Sequence, residues 1–388
     1  MRRAAIIVLD GLGIGPAHDT AAYGDAGSNT LGNVARVVGG LSLPELERLG
    51  LGCCAMVDGL ASVPNPSAAF GVCEPASPGK DSTTGHWEIC GVILERPFPT
   101  YPHGFPPKLI QEFERATGRS VLGNLPSSGT AILDRYGEEH CRSGRWIVYT
   151  SADSVFQVAA HESTVPLTEL YQACERARNL LRGEHAVSRV IARPFVGEPG
   201  AWVRTPHRRD FSLTPPGPTL LDRLAEAGIA RAGVGKVDDL FAGRSISSVH
   251  AATNREAYDL IQEALETLSG GLLLANVIEF DQTWGHRNDV PGFYGGLREL
   301  DATLPRLLGK VRDQDLIIFT ADHGNDPTTA STDHSREVVP LLVQGPRIRP
   351  VDLGRRSTFA DIGQTVAEFF HVPALASGTS FLSEVWRD

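Results

Sequence analysis

Aspartate, histidine and serine recur in this chain where they could carry out metal-assisted chemistry. Asp10 closes the apolar run 6–9, Asp281 follows 277–280, and Asp322 follows 316–320. Each stands just past the carboxyl end of a strand-like stretch. In an open α/β sheet that edge is where ligands bind, so parallel strands would bring the three acids together. Histidines accompany them. His286 follows Asp281 across a turn, His323 adjoins Asp322, and His334 follows Asp333 just before the run 338–343. Carboxylate oxygens with imidazole nitrogens suit Mn²⁺ or Zn²⁺ better than Mg²⁺, which prefers an all-oxygen shell. A single aspartate after a strand is most simply a turn or capping residue. Four such elements at corresponding strand ends point instead to a divalent-metal site.

The segment Gly79-Lys80-Asp81-Ser82-Thr83-Thr84-Gly85-His86-Trp87-Glu88 sets three hydroxyls between glycines. Alone it reads as a polar turn. Its lysine precedes the hydroxyls, so it lacks the spacing of a P-loop. Beside a metal pair, a hydroxyl from this run would be activated as a nucleophile toward phosphorus. The glycine-rich loop after Asp10 lacks dinucleotide spacing, and Asp10 would repel a pyrophosphate.

A basic cluster lies mid-chain. Period-two alternation in the strand 189–195 places Arg189, Ile191 and Arg193 on one face. Arg204, Arg208 and Arg209 follow, and together they could form a phosphate-recognition surface or an ordinary solvated patch. Asp153, after the strand 146–150, could accept hydrogen bonds from sugar hydroxyls or serve as a turn residue.

The elements that must position these groups follow from patterning. A strand at 5–9 leads through the glycine-rich loop to a helix at 30–38, and residues 51–100 read as loops and short strands. Two Pro-rich stretches, 99–107 and 214–218, read as hinges around an inserted segment, with helices at 108–117 and 167–182 and strands at 146–150 and 189–195. Beyond it helices at 219–227, 254–269, 295–311 and 359–370 alternate with strands at 231–234, 272–280, 316–320 and 338–343. Such alternation predicts an α/β fold with a mostly parallel sheet flanked by helices. The expected division is a discontinuous core, 1–98 with 217–388, and an inserted smaller α+β cap, 99–216.

At 388 residues two domains are expected, and 41% apolar with 21% charged residues is the composition of a globular protein. A net charge of −10 argues against nucleic acid as a partner. No apolar run is long enough for a membrane helix, and the N-terminal run ends on a carboxylate, as a first strand does and a signal peptide does not. Six cysteines without CxxC spacing fit a reduced, cytoplasmic protein.

These segments resemble phosphopentomutase, a family of the alkaline-phosphatase superfamily. The likeness runs through 10–15, 23–32, 79–88, 149–162, 192–200, 233–239, 280–287, 320–327 and 332–334. It implies an alkaline-phosphatase-like core with an inserted cap. It also implies an isomerase that interconverts ribose (or 2-deoxyribose) 1-phosphate and 5-phosphate in nucleoside metabolism. By position, one Mn²⁺ falls to Asp10, Asp322 and His323, a second to Asp281, His286 and His334, with Mg²⁺, Co²⁺ or Zn²⁺ as substitutes. Ser82 would bridge both and carry the phosphoryl group, primed by a bisphosphate sugar such as glucose 1,6-bisphosphate, through a 1,5-bisphosphate intermediate. Asp153, Arg189, Arg193 and Arg204 would hold the phosphosugar; no obligate protein partner is implied. Members of the family carry Thr where Ser82 stands. Here His207, Arg208 and Arg209 occupy an altered cap run, Asn33 replaces a His, and 249–254 departs from a Lys-Ser-Asn segment. These departures keep open a mutase or phosphatase of the same superfamily acting on another phosphate ester. From a different class stands a metal-stabilised binding protein without catalysis.

Overall fold

The computed structural model describes residues 1–151 and 154–387. Contacts divide the chain into two units, Met1–Pro97 with Pro215–Asp388, and Phe98–Thr214. Eight strands form one sheet in the first: β1 (Arg3–Leu9), β2 (Ala69–Cys73), β3 (Arg231–Val234), β4 (Ser248–Val249), β5 (Gly271–Val277), β6 (Asp315–Thr320), β7 (Val339–Gln344) and β8 (Asp352–Arg356). Their order is β4-β3-β5-β1-β6-β7-β2-β8. Every residue of β1, β5 and β6 is buried, as expected for central parallel strands covered on both faces.

Register explains why the acids meet. Leu9 lies opposite Val277, and Val8 opposite Thr320, so β1, β5 and β6 end nearly level at their carboxyl edge. Only β7 opposes the sheet direction, pairing antiparallel with both β6 and β2. Reversal brings the residues upstream of β7 to that same edge, which is how His334 reaches it. Because β2 runs with β6, the chain leaving Cys73 starts from this edge as well.

Five helices matter for the site: α1 (Thr30–Val38), α2 (Ser82–Ile89), α3 (Asn254–Thr267), α4 (Val290–Leu308) and α5 (Ala360–Phe369). Two depart from the patterning. The stretch expected as loops and short strands contains α2, started by the Asp81 side chain accepting from the Thr84 N–H. Helix α4 begins earlier than residue 295, behind the Asp289 cap with a proline in its first turn. Gly292 and Gly296 obscure it in sequence, yet a Cβ at either would overlap the Trp284 ring.

The second unit is a mixed sheet of strands Val121–Pro126, Trp146–Thr150, Val155–His161, Arg189–Val196, Val203–Arg204 and Arg209–Ser212. Helices Pro107–Thr117 and Leu167–Leu180 pack over a core containing Phe113, Trp146, Phe156 and Val190. No helix among the described residues is long and apolar enough to cross a membrane.

At the opposite end of β1 from the site, the fully buried Arg3 guanidinium is neutralised by Asp315 and also donates to the Lys310 carbonyl. Replacing one partner leaves an uncompensated buried charge. Asp315→Ala should therefore lower unfolding stability by about 3–5 kcal/mol in denaturant titration; a loss under about 1 kcal/mol, the range of exposed pairs, would contradict this reading.

Candidate functional site

The carboxyl edge of the sheet gathers Asp10, Asp281, Asp322 and His323, all buried, with His286 and His334 beside them. Asp10 and Asp281 turn away from their strands through tight backbone. Gly11 (φ 79°) continues the chain after Asp10, and Asp281 lies in a single π-helical turn, Phe280–Trp284. The three histidines each direct Nε2 at an aspartate. His323 Nε2 is 3.2 Å from Asp10 Oδ1 and 3.5 Å from Asp322 Oδ2. His286 Nε2 is 3.3 Å from Asp281 Oδ2, and His334 Nε2 is 3.1 Å from Asp281 Oδ1. For two of them the other nitrogen is engaged: His323 Nδ1 donates to the Gly324 carbonyl (3.0 Å), His286 Nδ1 to that of Thr332 (2.6 Å). In the neutral ring this leaves Nε2 with its lone pair, the form a metal requires.

The donors form two overlapping groups. In one, Asp281, His286 and His334 offer atoms within 4.8 Å of one another; in the other, Asp10, Asp281 and His323 do. Asp281 thus belongs to both, where the sequence reading gave it to one. Asp322 stands behind His323, with Oδ1 accepting from the Gly11 N–H at 3.2 Å.

Charge here is unbalanced without cations. Burial raises the Asp10 pKa, and repulsion from Asp322 and Asp281 raises it further. Burial opposes protonation of His323, but Asp322, Asp10 and Asp281 prevail and hold its pKa well above the usual value. His286 is pushed up to about 9, Asp281 overcoming burial. Protons on these rings take the place of cations and would be displaced by them. Two buried donor atoms, Asp322 Oδ2 and His334 Nε2, lie near His86 Nδ1 and Asp281 Oδ1 without forming an aligned hydrogen bond. Orphaned donors among buried carboxylates and imidazoles fit divalent ions.

Ser82 is the first residue of α2, and its Oγ lies 3.0 Å from His323 Nε2 and 3.4 Å from Asp10 Oδ1. Helix α2 comes this close because residue 85 is glycine: a Cβ there would overlap the Asp322 carbonyl oxygen. The glycine-rich loop has a similar cause. A Cβ at Gly13 would overlap Glu337, whose buried carboxylate accepts from the Gly15 and Thr30 N–H groups and the Thr30 and Ser335 hydroxyls.

Residues that orient the ligands were not singled out from sequence. Asn276 Nδ2 donates to Asp10 Oδ2 (3.0 Å), and Asn325 Nδ2 to Asp281 Oδ1 (2.7 Å). His86 is wholly buried, with Nδ1 2.9 Å from the Ser82 carbonyl and 3.1 Å from Asp322 Oδ2. The available signals were an amide inside the apolar strand β5, and a histidine one helical turn from Ser82.

In the second unit, Arg193 donates to Gln157 Oε1 (3.0 Å) and Arg189 pairs with Asp210 at 3.6 Å. Arg193, Arg204 and Arg208 lie around the buried Tyr149. Burial and the nearby Arg208 pull the Arg193 pKa down. Arg209 is not part of this group; its guanidinium stacks over Tyr171 and Phe211. His207 pairs with Glu162 at 2.9 Å. Asp153 lies outside the described residues. Asn33 is a buried anchor donating to Asp326 Oδ2 (2.6 Å).

The family model of the Metalloenzyme superfamily matches residues 2–374. A phosphopentomutase of Dictyoglomus turgidum is 55% identical over 387 residues, spanning 99% of this chain and 98% of its own. That of Carboxydothermus hydrogenoformans is 54% identical over 390 residues, spanning 99% and 100%. Among solved structures, the PH0037 protein from Pyrococcus horikoshii superposes with a TM-score of 0.51 at 16% identity, covering 95% of this chain and 97% of its own, a likeness of fold.

Since Asp281 joins both donor groups, Asp281→Ala should abolish most divalent-ion binding in equilibrium dialysis, whereas His286→Ala should leave one group loaded. Asn325→Ala, which frees Asp281 to turn, should weaken binding about 10–100-fold. Equal stoichiometry in the Asp281 and His286 variants would refute the shared role.

Proposed function

Since the chain belongs to the phosphopentomutases, within the Metalloenzyme superfamily, we propose that it interconverts the 1- and 5-phosphates of ribose or 2-deoxyribose. The observation that carries this reading is the Ser82 hydroxyl, set at the start of α2 against His323 and Asp10. Asp10, Asp322 and His323 would hold one divalent cation and Asp281, His286 and His334 another, Asp281 standing close enough to serve both. Bound there, Mn²⁺ or a similar ion would supply positive charge that favours the serine alkoxide and offsets charge on a phosphoryl group.

The remaining work falls to the chain's own residues. Ser82 Oγ carries the phosphoryl group in the resting enzyme, first acquired from a bisphosphate sugar. Its P–O bond breaks as the free hydroxyl of the pentose phosphate attacks; that hydroxyl loses its proton and Ser82 regains one. A pentose 1,5-bisphosphate results, and transfer of its other phosphate to Ser82 restores the enzyme and releases the isomer. The N-terminus of α2 favours the anionic group it faces. Arg189, Arg193 and Arg204, with Asp153, are proposed to bind the sugar and its distant phosphate, guanidinium forks matching phosphate oxygens. The reaction would serve nucleoside metabolism in the cytoplasm. A second reading, another phosphosugar or phosphate ester, is favoured by one observation: His207 in the altered run is tied to Glu162.

The test is a coupled assay of Mn²⁺-loaded protein with ribose 5-phosphate and a trace of glucose 1,6-bisphosphate, following ribose 1-phosphate and free phosphate together. Isomerisation without phosphate release is expected, and Ser82→Ala should abolish both isomerisation and label uptake from the bisphosphate. Phosphate release far faster than isomerisation would replace the mutase reading with a phosphatase. Label uptake without conversion would favour the other substrate.

A further inference from the structure

The loop that delivers Ser82 is gripped from both sides. On one side the Glu88 carboxylate, in the last turn of α2, accepts from the N–H groups of Ala76 (2.9 Å) and Ser77 (2.7 Å). On the other, the Arg336 guanidinium donates to the carbonyls of the same segment: Pro75 (2.8 Å), Ser77 (2.6 Å) and Gly79 (2.5 Å). Two further bonds of 3.0 Å tie this guanidinium to both oxygens of Asp19, and it lies over the Tyr23 ring at 4.7 Å. Its side chain is only 3% exposed.

The backbone of Arg336 is fixed as well. Its N–H donates to Asp25 Oδ2 (2.8 Å), and the same carboxylate receives Lys80 Nζ at 2.9 and 3.1 Å. Lys80 stands two residues before Ser82, and Arg336 two residues after His334. Asp19, Tyr23 and Asp25, from the segment after the glycine-rich loop, therefore brace both.

We propose that Arg336 is a positioning residue that fixes Ser82 relative to His334, by holding the 75–79 loop through its carbonyls while its own backbone continues from the histidine. The inference rests on the reading of Ser82 as phosphoryl carrier. A guanidinium is needed because five acceptors lie around it in one fan; the single ammonium of lysine cannot meet them. Misplacing a reacting group by about 1 Å can cost about 10²-fold in rate.

The experiment compares the Mn²⁺-loaded wild type with R336K, R336A and D19N, measuring label uptake from glucose 1,6-bisphosphate, kcat, KM for ribose 5-phosphate, bound metal and the melting curve. R336K and R336A should remain folded and metal-loaded, with label uptake and kcat falling about 10²-fold and KM changing little. Millimolar guanidinium chloride should restore part of the rate in R336A alone. D19N, which removes one acceptor at a partly buried carboxylate and keeps its shape, should move kcat in the same direction by less. In a variant that combines D19N with R336A, the effect of D19N should vanish, because the two residues act through one contact. Wild-type rates of uptake in folded R336K or R336A overturn the proposal, as does loss of metal in proportion to activity. If R336A does not fold, R336K and D19N decide by the same criteria. Failure of the wild type itself to take label overturns the Ser82 reading instead, so the two failures are distinct.

Discussion

Three buried carboxylates at one sheet edge are the constraint on which the rest of this fold depends. Asp10 and Asp281 offer oxygens within 4.8 Å of each other. Like charges at that range repel by about 3 kcal/mol even at an effective dielectric near 20. Burial adds a desolvation cost that a helix terminus cannot offset. Histidine protons can neutralise part of this charge, as the elevated His286 and His323 values indicate. They leave Asp322 Oδ2 and His334 Nε2 without an aligned hydrogen bond. Divalent cations satisfy both deficits at once, and the surrounding hydrogen bonds from Asn276, Asn325 and the Gly11 N–H aim the oxygens rather than neutralise them.

The sheet topology is the device that assembles this set. Parallel strands β1, β5 and β6 can deliver only residues that follow them, which accounts for the three aspartates and His323. His334 precedes its strand, so it can reach the same edge only because β7 runs the other way. The reversal has a second effect. It aligns β2 with β6, so the loop after β2 starts beside the histidine segment, and one arginine from that segment can reach its carbonyls.

What could be read from sequence divides along physical lines. The central strands were legible because parallel strands buried on both faces must be continuously apolar, and the acids were legible because each interrupts such a run. The histidines that join those acids at the sheet edge were legible from their spacing to them. Helix α2 was not legible: Ser82, Thr83, Thr84 and Gly85 have turn-like propensities, and the helix exists because Asp81 caps it and Gly85 lets it rest on Asp322. Asn276 and His86 left only faint signals, and the contribution of Arg336 left none, since its carbonyl partners lie 257 to 261 residues away in the chain. Alternation places Arg189 and Arg193 on one face of their strand, but nothing in the run 204–209 reveals that Arg209 turns onto two aromatic rings.

A serine that gives and then takes back a phosphoryl group faces a stricter demand than one used only as a nucleophile. The same oxygen must be in line with phosphorus in both directions, so any freedom it has is charged against the rate twice. A hydroxyl at the first position of an eight-residue helix is not rigid by itself, because helix ends fray. Here that end is tied at three levels: Asp81 caps the backbone, His86 holds the Ser82 carbonyl, and Glu88 with Arg336 clamps the approaching loop by its N–H and carbonyl groups in turn. Packing alone would locate such a loop only to within the freedom of its side chains. Charged groups bonded to the backbone along the loop locate it directionally, and this is the arrangement that the phosphoryl-carrier role proposed for Ser82 would require.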